Sequence, residues 1–165
     1  MRRTLLLAAC VAMPAAASAD DCAPVIDAMV GMAKTPHAST ATQVEGGSER
    51  TLRMVQTSDA RYVERDGGWR RLSAATDEGA RVQKALNEAK LSCRQTGSED
   101  VDGVNAALYA VHLENEDTVS DSRLWLGPNG LPLKIESAVA DRRTTTVLDY
   151  DHVTAPEGAA PPAPN

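Results

Sequence analysis

The sequence predicts an α+β protein: a curved antiparallel sheet of roughly nine strands, covered by two helices. The clearest observation is a β-hairpin at residues 122–136, where two alternating segments flank Gly127-Pro128-Asn129-Gly130. Several other short alternating segments are separated by turns that contain Gly or Asp. Only two segments repeat apolar residues at helical spacing. A single sheet of that length must curl, so we expect the helices on its concave face.

The first 19 residues have the pattern of an export signal. Arg2 and Arg3 precede a mostly apolar segment, and Ala17-Ser18-Ala19 matches a cleavage site. Alternatively, Leu7-Ala8-Ala9-Cys10 resembles the lipobox of bacterial lipoproteins, but a very short apolar region precedes that cysteine. We favour cleavage after Ala19 and predict a periplasmic protein. Residues 20–154 would form one domain, and residues 155–165 a disordered tail rich in Pro and Ala.

The charge of the chain argues against two classes of partner. Without Arg2 and Arg3, 15 of the 17 basic side chains remain against 23 acidic ones, a formal charge of −8. Such a chain is unsuited to nucleic acid or to an anionic membrane surface. No later apolar segment approaches the roughly 20 residues of a transmembrane helix. Because the chain has no Phe, its core must be built from Leu, Val, Ile, Met and Ala.

Two cysteines follow the predicted signal, Cys22 and Cys93. In an oxidising compartment such a pair predicts a disulfide. A redox or metal site would need partners at short spacing, and the sequence has none.

The first helix is predicted at residues 22–34. Asp20 and Asp21 favour its amino terminus, Pro24 fits its first turn, and Thr35-Pro36 ends it. A β-meander follows, with predicted strands at residues 37–44, 50–57, 61–65 and 69–72.

The second helix is predicted at residues 76–90, with Thr76 as the N-cap. Residues 97–103 are predicted to be a turn-rich segment. Further strands are expected at residues 105–113, in the hairpin, and at residues 144–150.

The register of the hairpin has two alternatives. If Leu126 faces Leu131, then Leu124 faces Leu133, and the leucines share one face with Ile135. If Gly130 forms a bulge, Gly127 faces Leu131, Trp125 lies opposite Leu133, and the faces exchange. We favour the face made of leucines.

The order of elements and several motifs resemble the LolA-like superfamily of periplasmic lipoprotein carriers, including mycobacterial lipid carriers of the LppX and LprG type. Asp66-Gly67-Gly68-Trp69 is similar to the hairpin before the middle helix. Leu124-Trp125-Leu126 with Gly130-Leu131-Pro132-Leu133-Lys134 is similar to a later hairpin, and Tyr150-Asp151 to the closing strand. The resemblance covers residues 22–156 and implies an incomplete β-barrel with helices over its mouth, a shape that can hold an acyl chain. These motifs are structural, and the chain lacks the phenylalanines expected of a carrier's lid region.

No catalytic motif is present, and we predict a protein that is not an enzyme and has no cofactor or metal. His37, His112 and His152 are far apart and are expected to be single, exposed or hydrogen-bonded residues. The acidic residues around Glu114 and Asp121 lack the spacing of an EF-hand and predict a solvated turn. An enzyme would require His112 and this turn to converge on a pocket.

The leading hypothesis is a carrier that holds an apolar ligand, such as a lipid or the acyl chain of a lipoprotein. Plain core packing would equally explain its expected lining. The alternative is a cell-envelope module that binds another protein and has a packed core. The expected lining residues are Leu52, Met54, Val63, Trp69, Tyr109, Leu124, Leu126, Leu133 and Ile135 on the sheet, and Met29, Met32, Val82 and Leu86 on the helices.

Overall fold

A computed structural model describes residues 22–73, 77–151 and 153–159. The predicted export signal, the predicted cap at Thr76, His152 and the last six residues of the predicted tail therefore lie outside the described part of the chain.

The architecture is the predicted α+β arrangement, with two helices and one antiparallel sheet of nine strands. The strand order is β4-β3-β2-β1-β9-β8-β7-β6-β5, so β4 and β5 are the edges and the sheet is not closed. The elements are α1 Ala23–Lys34, β1 His37–Glu45, β2 Ser48–Gln56, β3 Ala60–Arg65, β4 Gly68–Ser73, α2 Glu78–Glu88, β5 Lys90–Val101, β6 Val104–Glu114, β7 Val119–Leu126, β8 Pro132–Val139 and β9 Arg142–Asp149.

The sheet is two meanders, β1–β4 and β5–β9, joined where β9 pairs with β1. All other pairs are neighbours in sequence. Helix α2 provides the connection from one outer edge to the other. Because β1 and β9 pair over residues 38–44 and 143–149, one continuous face runs across the junction.

Helix α1 packs on that face and closes the main core. Val25 and Ala28 are buried against side chains of β5, β6 and β7. The predicted disulfide joins Cys22, just before the helix, to Cys93 on β5. Near the other end, a Cβ at Gly31 would lie 3.0 Å from Cδ2 of Leu131, so a small residue permits the hairpin loop to approach the helix. The buried cluster consists of Cys22, Val25, Ala28, Cys93, Tyr109, Val111, Leu124 and Leu126.

Helix α2 is shorter than predicted, because its N-cap is Asp77 and β5 begins at Lys90. It packs against the carboxyl end of α1, where Gly79 leaves room for the side chain of Lys34. Val82 and Leu86 are half-buried.

The prediction for residues 97–103 is wrong, because β5 continues to Val101. A β-bulge between Gln95 and Gly97 accommodates one extra residue, and the pairing of Gly97 and later residues with β6 then resumes. The turn itself is confined to Asp102-Gly103, both at positive φ. Pairing with β6 outweighs the weak local preference for strand in this polar segment.

Next to the turn, the backbone N–H of Gly127 donates to the carbonyl oxygen of Leu131, as the bulge alternative predicted, but the rest of the hairpin adopts neither predicted register. Leu124 pairs with Ile135 and Trp125 with Lys134, and the ladder shifts before Leu126. Leu124, Leu126 and Ile135 face helix α1, as we favoured. Leu133 is the exception, since it packs with Trp125 on the opposite face. The bulge interrupts the alternation of side chains between the two faces of the sheet. A strict two-residue period therefore assigns Leu133 to the wrong face.

Candidate functional site

A cavity of about 770 Å³ lies across strands β5–β9 and is open to solvent. On each of strands β6–β9 the cavity contacts three consecutive residues. The middle one lies on the face of the sheet that α1 packs against, and the other two are its chain neighbours. Those neighbours point away from the helix, so they border the cavity through their backbone. Cys22, next to α1, also lines it. The cavity is therefore on the concave face.

Its floor is one cross-strand row, which we call the hydroxyl row. The pairings place Val111 beside Ser122, Ser122 beside Ser137, and Ser137 beside Thr144. Cys93 pairs with Val111 at one end, and Leu91 lies one step further along β5 on the same face. These side chains are short, so space remains above them. The floor thus has an apolar end at the disulfide and a polar stretch of three hydroxyls.

The hydroxyl row continues beyond the cavity into β1 and β2. Thr144 pairs with Gln43, and Gln43 pairs with Arg50. Gln43 is buried, and its Oε1 accepts a hydrogen bond from Nε of Arg50. The row is therefore polar from Ser122 to Arg50.

The adjacent row on the same face has the opposite chemistry. We call it the apolar row; it follows the pairings Tyr109, Leu124, Ile135, Thr146, Ala41 and Leu52. Helix α1 covers its first half, and Tyr109 and Leu124 are buried. Leu52, at the far end, is 43% exposed.

The expected lining residues are distributed over several environments. Tyr109, Leu124 and Leu126 are core, and Met29 and Ile135 pack against them. Met54 and Val63 pair on the concave face and are half-buried, as is Met32 on α1. Trp69 pairs with Glu64, on the opposite face from Val63. None of the thirteen lines this cavity or the second cavity described below, and their contact with a ligand stays a prediction.

Sequence reasoning missed the actual floor because it searched for apolar side chains. Ser122 and Ser137 have the same alternation as Leu124 and Ile135, so their face was available from the sequence. What the sequence does not show is where on the sheet α1 begins, and so which part of this face it leaves uncovered.

Trp125 is 2% exposed although it lies on the convex face. The cations of Arg123 and Lys134 lie 4.7 and 4.4 Å from its ring centre, and its Nε1 donates to Glu99 at 2.8 Å. Ala106, Leu108 and Leu133 complete this cluster. The ring is enclosed by its own sheet, which indicates a structural role.

A second cavity of about 550 Å³ lies between the end of α1 and the start of α2. Its polar groups are engaged with one another: Nε2 of Gln56 donates to the carbonyl oxygen of Ala33 at 2.8 Å, and Arg61 lies 3.6 Å from Glu78. These contacts join the helices to β2 and β3.

Ser92, His112 and Asp121 are neighbours across β5, β6 and β7, with Nδ1 of His112 2.8 Å from Oδ1 of Asp121. Across the strands, these neighbours follow the order serine, histidine, aspartate of a hydrolase catalytic triad. However, the side chains of His112 and Asp121 are 48% and 79% exposed, and within the described ranges no hydrogen bond joins Ser92 to His112. All three residues border the concave cavity through their backbone, but the side chains of His112 and Asp121 point to the solvated convex face, without the enclosed surroundings that acyl transfer needs.

His37 is buried where α1 meets β1. Its Nδ1 donates to the carbonyl oxygen of Thr35 at 2.8 Å, and its ring lies 5.9 Å from that of Tyr150. Burial lowers the pKa of His37, and the positive charge of Arg61 acts in the same direction. Burial also raises the pKa of Tyr150, whose hydroxyl donates to the carbonyl oxygen of Pro132 at 2.8 Å.

The acidic turn after β6 is held by local contacts. Glu114 accepts a bond from Lys90 at 2.9 Å, which lowers the pKa of Glu114. The Asn115 side chain accepts from the backbone of Asp117 and Thr118. Among residues 22–73, 77–151 and 153–159, no three His, Cys, Asp or Glu side chains converge as a metal site would require.

No helix in the described ranges has the length and apolar character to cross a membrane. No family model matches the sequence, and no curated protein matches it.

Solved structures do resemble the fold. The Mycobacterium tuberculosis lipoprotein LppX superimposes with a TM-score of 0.54 at 7% identity, over 85% of this chain and all of LppX. LprF from Mycobacterium bovis gives 0.47 at 10% identity, over 82% of this chain and 96% of LprF. MucB gives 0.49 at 18% identity, over 87% of this chain but 63% of MucB. The fold of this chain thus resembles that of LppX, in agreement with the structural resemblance of its motifs.

Proposed function

We propose that this chain is an exported, non-enzymatic binding protein of the periplasm that carries an apolar ligand, such as a lipid or the acyl chain of a lipoprotein. The observation that supports the proposal is the concave cavity of about 770 Å³, a volume typical of small-molecule sites. A packed core does not need such a space. The lipoprotein LppX, with the same fold, makes a lipid-related role the natural first test.

The test begins with protein purified from the periplasm and an organic extract of it analysed by mass spectrometry. We expect a stoichiometric lipid. Ser137→Phe should remove most of it, because the ring would occupy the middle of the cavity floor. Ala138→Phe is the matched control, because the next residue in the strand points to the convex face.

The proposal would be contradicted if the extract contains no lipid and if a second extract, made after incubating the protein with membrane lipids, contains none either. Equal lipid in both variants would show that the ligand lies elsewhere. Thermal unfolding of both variants checks that the comparison is between folded proteins.

A second candidate function is docking of another protein on the concave side of β2–β4. Leu52 and Leu72 face that side and are 43% and 44% exposed. Exposed leucines on one face are typical of a contact surface. This function would be favoured over a carrier if the purified chain contains no lipid and if Leu52→Glu abolishes binding of a partner protein to this surface.

A further inference from the structure

We infer that the ligand is an amphiphile with an uncharged, hydrogen-bonding head, rather than a bare hydrocarbon chain. This inference rests on the proposed function and names the ligand class for the same cavity. Its head would lie over Ser122, Ser137 and Thr144, and its chain would lie toward the disulfide.

The polarity of the cavity floor indicates a ligand with a hydrogen-bonding head. A site for hydrocarbon alone is served best by apolar side chains, as in the apolar row one step away on the same strands. Instead, three consecutive strands present a hydroxyl to the cavity. In the described part of the chain, no hydrogen bond engages these hydroxyls with another protein group. They are therefore available as donors and acceptors to a ligand.

The charges nearby indicate an uncharged head. Arg50 is the single charged member of the hydroxyl row, and it lies two strands beyond Thr144, outside the cavity. Five charged residues border the cavity, but each is next to a floor residue in sequence and so points to the convex face: Arg94, Asp121, Arg123, Glu136 and Arg143. The floor thus offers hydrogen bonds without an unpaired charge. Hydroxyl, ester or amide groups match this arrangement.

The opposite end of the cavity suits the chain of the amphiphile. The disulfide between Cys22 and Cys93, with Leu91 and Val111, forms a continuous apolar surface. This surface begins directly beside Ser122, which pairs with Val111. Head and chain of one molecule would therefore contact adjacent parts of a single floor.

The experiment compares two probes on delipidated protein: 1-monopalmitoylglycerol and hexadecane. Each is incubated with the full exported chain, excess is removed by gel filtration, and retained probe per chain is measured by mass spectrometry. We expect preferential retention of monopalmitoylglycerol. The double variant Ser137→Ala/Thr144→Val should retain it about tenfold less, since about two hydrogen bonds are lost, with hexadecane unchanged.

Thr145→Val is the matched control, because the same chemical change one residue along β9 falls on the convex face. Ser122→Ala provides a milder second variant if the double variant unfolds. Retention of both probes with no effect of the variants would overturn the amphiphile while leaving the carrier. Retention of neither probe would overturn both.

Discussion

The apolar row and the hydroxyl row lie side by side on one face of the same strands, and the difference between them separates side chains that stabilise the fold from side chains that we propose bind a ligand. Leu124 and Ile135 pack with helix α1 in the core. Ser122 and Ser137, two residues away on each strand, floor an open cavity. The helix begins beside the hydroxyl row, at Cys22, and runs over the apolar row. Burial of the first row stabilises the fold, whereas the second row is free for a ligand.

The largest expected effect comes from removing the disulfide, which ties α1 over the boundary of the two rows. Cys22 and Cys93 are 71 residues apart, so replacing both by Ser should lower the free energy of unfolding by about 4 kcal/mol in the chain-entropy model. Urea denaturation measures this change, and reduced wild-type protein should behave like the variant. Equal stability of the variant and the oxidised protein would show that packing alone holds the helix.

Substitutions in the two rows of β7 compare them directly. Leu124→Ala should lower the free energy of unfolding by about 3 kcal/mol, because a buried side chain leaves a cavity. Ser122→Ala, two residues away, should change it by less than about 0.5 kcal/mol, because its hydroxyl faces open space. Both values come from urea denaturation. Similar losses would mean that the hydroxyl row also contributes to the core.

The smallest effect concerns pH at the far end of α1. Because the pKa of His37 is lowered from its ordinary value of 6.5, the unfolded chain binds the proton more readily than the folded protein. The stability contributed by neutral His37 is present above pH 6.5 and is lost as the pH falls below it. His37→Gln should reduce this slope, measured as melting temperature against pH. An unchanged slope would assign it to other groups.

Much of the fold could be predicted from residue patterns. Gly127-Pro128-Asn129-Gly130 predicted its turn, and the backbone N–H of Gly130 donates to the carbonyl oxygen of Gly127 at 2.9 Å. The pattern around Cys22 predicted α1 and its tether. The error at residues 97–103 arose because Gly and Asp usually mark turns, whereas a bulge carried the strand through them.

The candidate site was less accessible to the same reasoning. The sequence assigned Leu133 to the wrong face, since a bulge one residue long reverses the alternation and no local pattern announces it. It also predicted an apolar lining, because an expected lipid suggests apolar side chains.

By itself, therefore, the sequence determined the class of fold, the two helices, most strands and the disulfide, because these depend on periodicity, turn residues and cysteine number. The tertiary structure alone decided which part of the concave face remains open. That outcome depends on where α1 crosses the sheet and how far it reaches. Those quantities are set by packing between residues distant in sequence, such as Val25 and Leu124.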